Sequence, residues 1–221
     1  MKTAKLRSNS TILMLALLYP NFVNVTDASD SNQNFDAAIA DYTSAIELNP
    51  ADARAYNNRG RAKRGKGDTD GAIADYTRAI ELDPEYPEPY NNRGNAKRAK
   101  GDQDGAVVDY NRAIQLNPEY PEPYNNRGNA KRAKGDLSGA IVEYNRAIQL
   151  DPKYADAYYN RGNAKGLKGD LDGAIADFNR AIELNPSHGR AFETRSEALR
   201  LKGDIKHAEA DHKRALELNE H

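Results

Sequence analysis

From residue 35 onward, apolar side chains recur at steps of three and four, and the run is interrupted at regular intervals. Within residues 87–120, Ala106, Val107, Tyr110, Ala113, Ile114 and Leu116 fall on one face of a helix. Ahead of them, Tyr90 to Lys100 runs without a breaker. Pro87 and Pro89 stand in its first turn, where no amide donor is needed. Gly101 closes that run, and Asp102 is placed to cap the next helix. Asn117-Pro118 ends the second run, because a residue before proline is driven out of helical conformation. The pattern predicts an antiparallel helix pair.

The same pair returns along the chain. Pro50, Pro84, Pro118, Pro152 and Pro186 lie 34 residues apart and delimit units 53–86, 87–120, 121–154, 155–188 and 189–221. Units 87–120 and 121–154 are identical at 28 of 34 positions. Such self-similarity belongs to stacked units, each of which buries its apolar face only against its neighbours. The ends differ from the middle. Residues 29–52 carry a second helix without its partner: a Ser/Asp/Asn-rich stretch (29–34) precedes Phe35, Ala38, Ile39, Tyr42, Ala45, Ile46 and Leu48, a helix over 35–48. This helix is expected to shield the first full unit. In the last helix, 205–218, His212 takes the place of the expected aromatic and suits an outward-facing cap.

The period, an early aromatic (Tyr56, Tyr90, Tyr124, Tyr158, Phe192) and a small residue four further on (Gly60, Gly94, Gly128, Gly162, Ser196) together resemble the tetratricopeptide repeat family. The second helices agree, with Ala72, Tyr76 and Ala79 in the first unit and Ala174, Phe178 and Ala181 in the fourth. The resemblance covers residues 35–219. It implies an all-α, right-handed superhelical solenoid of antiparallel helix pairs, working as a scaffold for protein–protein contact.

Two departures stand out. Arg59, Arg93, Arg127, Arg161 and Arg195 occupy a position where the family usually has Leu, and Lys63, Lys97, Lys131 and Lys165 one where it has a large aromatic. These cations share a face with the packing Tyr and Gly, so their stems would lie on apolar surface with the heads in water. An acid follows each arginine by sixteen residues: Asp75, Asp109, Glu143, Asp177 and Asp211. The offset admits pairing between the two helices of a unit or two independently solvated charges, and exposed pairs contribute only ~0–1 kcal/mol.

At 100° per residue, Glu88, Asn91, Asn92, Asn95, Arg98 and Ala99 share the sector opposite the packing face. The resemblance implies that this sector lines a concave groove. Its counterparts are Asn57, Asn58, Arg61 and Arg64, then Asn125, Asn126, Asn129 and Arg132, and, in changed form, Tyr159, Asn160, Asn163 and Gly166. An amide side chain both donates and accepts, so a row of them suits the backbone of an extended peptide, and an extended or helical peptide is the expected ligand. Some family members hold peptides through an asparagine matching Asn58, Asn92, Asn126 and Asn160. Repeat duplication or surface hydration would leave the same row. Replacing those four by Ala is expected to weaken partner binding without altering melting. The lysines with which relatives clamp a C-terminal carboxylate are missing: Asn57 and Glu88 or Glu122 stand there instead.

Composition narrows the remaining classes. Lys+Arg number 32 against 33 Asp+Glu, for a net charge of −1, and there is no Cys. The sequence offers no disulfide framework, thiolate metal site or cysteine nucleophile. His207 and His212 lack the partners of a zinc helix, and no glycine-rich loop follows a strand, so neither catalysis, a cofactor nor a metal is expected. Nucleic-acid binding by the basic first helices is the alternative reading, but the charges alternate helix by helix rather than forming a continuous basic track. At the amino terminus, Lys2, Lys5 and Arg7 precede the apolar run 12–19 and then Pro20 and Asn21, the layout of a secretory signal, with cleavage expected after Ala28. The run would span roughly 12 Å as a helix, too short to anchor in a membrane. Export to a periplasm or the medium is therefore expected, or a cytoplasmic location if the segment is only a tail.

Overall fold

The structure, a computed structural model, describes residues 28–219. The signal-like segment lies outside the described residues except for Ala28. Among the described residues there are eleven helices and no strand: α1 (Ala28–Leu48), α2 (Ala53–Gly65), α3 (Thr69–Leu82), α4 (Pro87–Ala99), α5 (Gln103–Leu116), α6 (Pro121–Ala133), α7 (Leu137–Leu150), α8 (Ala155–Leu167), α9 (Leu171–Leu184), α10 (Gly189–Leu201) and α11 (Ile205–Asn219). From α2 on they pack as consecutive pairs. Each pair then packs on the next, making a solenoid.

Local chemistry sets the joints. Gly101 takes φ +89, a value that a side chain would disfavour. Its N–H donates to Arg98 O at 3.0 Å and that of Asp102 to Lys97 O at 3.0 Å, which closes α4 in a Schellman motif. The Asp102 carboxylate then accepts from Gly105 N at 2.8 Å and caps α5. Asn117, extended ahead of Pro118, ends α5. α1 starts at Ala28, seven residues before the expected boundary. A polar stretch costs only a few tenths of a kcal/mol per residue in a helix, and the packed turns after it supply the nucleus.

The core is a row of small clusters. Tyr110, fully buried, packs with Ala106 of its own helix and Ala130 of the next unit. A methyl group at Gly94 would come within 2.6 Å of its ring, which is why this position is glycine. Tyr76, Tyr144 and Phe178 repeat the arrangement. At the carboxyl end His212 is exposed, as expected of a cap. Ser196 Oγ then takes the space left by the absent ring and donates to Ala208 O at 2.7 Å.

The arginine–acid offset is a pairing, and its carboxylates are buried. Asp109 is only 2 % exposed. It accepts from Arg93 Nε at 2.9 Å and Nη2 at 2.7 Å, and Lys97 Nζ lies 2.8 Å from its other face. The third Arg93 donor, Nη1, reaches Thr77 in the preceding unit at 3.2 Å. Arg59–Asp75, Arg127–Glu143, Arg161–Asp177 and Arg195–Asp211 repeat this pairing. A buried carboxylate is costly to desolvate unless paired and hydrogen-bonded, and two cations meet that need here. The two departures from the family pattern thus form one device that ties the two helices of a unit together and ties that unit to the one before it.

Candidate functional site

The first helices of the pairs, α2, α4, α6, α8 and α10, line a groove with two sections. The first, about 800 Å³, is bounded by Tyr42, Asn57, Asn58, Arg61, Tyr86, Glu88, Asn91, Asn92, Tyr120 and Glu122. The second, about 600 Å³, is bounded by Arg98, Asn129, Arg132, Tyr159, Asn160, Asn163, Leu167, Leu171, Arg190 and Leu201, among others. Arg64 is exposed at the end of α2.

The amide row is built differently from a set of free side chains. Asn57, Asn91 and Asn125 are 3–4 % exposed and form the floor rather than a wall. Asn92 Nδ2 donates to Asn57 Oδ1 at 2.9 Å, Asn126 to Asn91 at 2.9 Å and Asn160 to Asn125 at 3.0 Å, so each rung joins two units. The floor amides donate onward to the hydroxyls of Tyr86, Tyr120 and Tyr154 at 3.3–3.4 Å. Asn95 and Asn129 each accept from a core hydroxyl, Tyr110 and Tyr144, at 2.9 Å. This overturns the expectation that removing the outer asparagines leaves melting unchanged. Three rungs would be lost, at about 0.5–1.5 kcal/mol each. The outer asparagines keep one amide hydrogen and Oδ1 for a ligand.

The row stops at the fourth unit. Tyr159 stands where the floor asparagine would be, its ring 4.7 Å from His188 and 6.0 Å from Phe178. Phe178 has no hydroxyl to offer Asn163. In the first unit the reverse occurs: Arg61 replaces the accepting asparagine, and the buried Tyr76 hydroxyl has no partner. Burial pushes the Tyr76 and Tyr110 phenols up to about 12. Burial also raises Glu122; its own backbone N–H opposes this, while Asp151 and Glu88 add to it.

The asparagines and Arg98, Arg132 and Tyr159 were legible from helical spacing. Tyr42, Tyr86 and Tyr120 on the first section, and Leu167, Leu171, Arg190 and Leu201 on the second, were not assigned to the groove. For Tyr86 and Tyr120 the signal was the 34-residue recurrence of an aromatic at positions 86, 120 and 154, just ahead of a helix. The basic excess of the first helices is largely spent. Arg93 and Lys97 pair with Asp109, and Lys66, Lys100, Lys134 and Lys202 pair with Asp36, Asp70, Asp104 and Asp172 of the preceding unit. Among the described residues no cluster of three His, Asp or Glu could hold a metal, and no helix is long and apolar enough to cross a membrane.

Comparison with known proteins agrees with this architecture. The family described as "TPR repeat" matches residues 31–64, 60–97, 94–131 and 128–169, and "Tetratricopeptide repeat" matches 155–188. No curated protein matches the chain. Among solved structures, a crystal structure of MamA is 32 % identical with a TM-score of 0.62, covering 73 % of this chain and 94 % of that one. YrrB, described as "a TPR protein with an unusual peptide-binding site", is 24 % identical with a TM-score of 0.58, covering 80 % and 91 %. MamA residues 41 to the end from Desulfovibrio magneticus RS-1 is 21 % identical with a TM-score of 0.63, covering 76 % and 95 %. The last two share the fold. With its helix pairs, its Tyr–Gly cores and these matches, the chain belongs to the tetratricopeptide repeat family.

Proposed function

We propose that the protein is a non-catalytic scaffold that holds a peptide segment of a partner protein in the groove of its first helices. One observation carries this reading: the outer amides of Asn92, Asn126 and Asn160 repeat once per unit along the first helices, each with hydrogen-bonding capacity beyond its rung, and Asn58 holds the same place in the first unit. The peptide-binding site named for YrrB, on the same fold, supports it. The amino-terminal layout supports export as the setting; an intact mass beginning near Ser29 is the expected product.

Photo-crosslinking side chains placed singly at Asn92, Asn160, Val108 and Val142 test the groove. Val108 and Val142 are exposed residues of the second helices. Crosslinks to a partner from the first two sites and not the last two are expected. Partner capture only through Val108 or Val142 would overturn the assignment.

A further inference from the structure

The two sections of the groove differ in charge, with Asp52, Glu88 and Glu122 against Arg54 and Arg61 in the first and Arg98, Arg132 and Arg190 against Glu197 in the second, and this deepens the peptide-binding reading, on which it rests. The first section brings Glu88 and Glu122 together with the tyrosines at 42, 86 and 120. Neither glutamate forms an ion pair among the described residues, and Glu88 Oε2 is buried without a hydrogen-bond partner. Arg54 and Arg61 also border this section, and Asp52 spends its carboxylate capping α2. The raised Tyr120 reflects burial first and then the proximity of Glu122 and Glu88. Carboxylates beside aromatic faces form a surface that attracts a cation twice, by charge and by the ring quadrupole.

The second section reverses this. Arg98, Arg132 and Arg190 surround it with only Glu197 against them. The Nε atoms of Arg98 and Arg132 are buried without partners. Among the arginines sit Leu167 and Leu201, 64 % and 75 % exposed, whose counterparts in earlier units are Gly65, Ala99 and Ala133. The bulk therefore appears only here, and Gly166 removes the arginine side chain that would otherwise cover it. Exposed leucines ringed by guanidinium groups suit a large apolar side chain flanked by carboxylates.

We propose that the groove selects a peptide whose charge changes sign along its length, with cationic side chains over the first section and a carboxylate-flanked large apolar side chain over the second. The sections are centred about two units apart. Helices in direct contact lie about 8–10 Å from axis to axis, so the two parts of an extended ligand are separated by roughly five or six residues at about 3.3 Å each. A peptide reversed in sequence can lie in the groove the other way round, so order alone is no control. Segregation of charge is what the groove reads.

The test uses fluorescence anisotropy with labelled synthetic peptides: a bipolar peptide (two Lys, a six-residue neutral spacer, then Glu-Leu-Glu), an interleaved peptide of identical composition, an all-Lys peptide and an all-Glu peptide. The bipolar peptide should bind at least tenfold more tightly than the interleaved one. Arg98→Glu with Arg132→Glu should transfer preference to the all-Lys peptide, and Glu88→Lys with Glu122→Lys to the all-Glu peptide, each with an unchanged helical spectrum. Should a double variant lose helicity, Arg98→Gln with Arg132→Gln or Glu88→Gln with Glu122→Gln replaces it, and a tenfold loss for the bipolar peptide is expected. Equal affinity for bipolar and interleaved peptides, or unaltered preference in the variants, overturns the charge proposal. If crosslinks from Asn92 still reach a partner in that case, the groove reading stands alone. Crosslinking of the bipolar peptide to Val142 instead would overturn both.

Discussion

The two groove sections rest on one scaffold and differ in what lines it. Beneath the first, Asp109 is held by Arg93 and Lys97; beneath the second, Asp177 is held by Arg161 and Lys165 at matching distances. Above that common layer, Asn91 becomes Tyr159, Ala99 becomes Leu167 and Glu88 becomes Asp156 and then Arg190. Because each helix turns one face inward and another toward the groove, the lining changes without disturbing the core. A repeat array can therefore vary its binding surface unit by unit on a fixed frame.

The sharpest way to break this comparison is to attack the shared frame. Asp109→Ala and Asp177→Ala each leave two cations facing a buried void, and each should cost about 3–5 kcal/mol in urea unfolding. Clearly unequal costs would show that the two sections do not rest on the same support. Glycines give a smaller effect of opposite sign. Gly94→Ala meets the Tyr110 ring at 2.6 Å and should destabilise by about 1–3 kcal/mol. At Gly166 an added Cβ meets only Ala174 Cβ, at 3.7 Å, so Gly166→Ala should stabilise by about 0.5–1 kcal/mol. Thermal melting of the two variants should move in opposite directions.

The smallest effect exchanges a single hydroxyl between sections. Tyr110→Phe removes the bond to Asn95 and should cost about 1 kcal/mol, whereas Phe178→Tyr creates the matching donor for Asn163 and should gain about 0.5–1.5 kcal/mol. The new phenol should titrate above the ordinary value of 10, as Tyr110 does at about 12, because burial disfavours its charged form. Since a raised phenol withholds its charge in the fold, the stability it confers is complete below the ordinary value of 10 and declines as pH climbs through 12. Alkaline unfolding monitored by tyrosinate absorbance reads both quantities.

Much of this was legible in the residues. Proline spacing, the capping Asp102 and the apolar face of Ala106, Tyr110 and Ala113 gave the helix pairs and their boundaries, since these depend on neighbours within a few positions. The offset of sixteen between Arg93 and Asp109 was visible too, yet left two readings open. Only burial of the carboxylate decided between them. The lysine twelve residues ahead of the acid was placed on the same face, yet its share in the carboxylate was not expected, because spacing alone does not tell which cations reach the acid.

The groove divides along the same line. Helical geometry put Asn91, Asn92 and Asn95 in one sector, but their partners lie 35 residues away in a neighbouring unit or 15 residues on in the paired helix, and come into reach only when helices pack and units stack. That stacking made Asn57, Asn91 and Asn125 floor rather than wall. It also brought Tyr86 and Tyr120 beside Glu88 and Glu122, and set Leu201 next to Leu167. Local sterics and periodicity suffice for the repeating pair, its caps and its inward face, so these could be read from the residues. Which polar groups are spent on one another, and which still face a ligand, was decided by tertiary contact between units, since a hydrogen bond or ion pair exists only where packing closes the distance and excludes water.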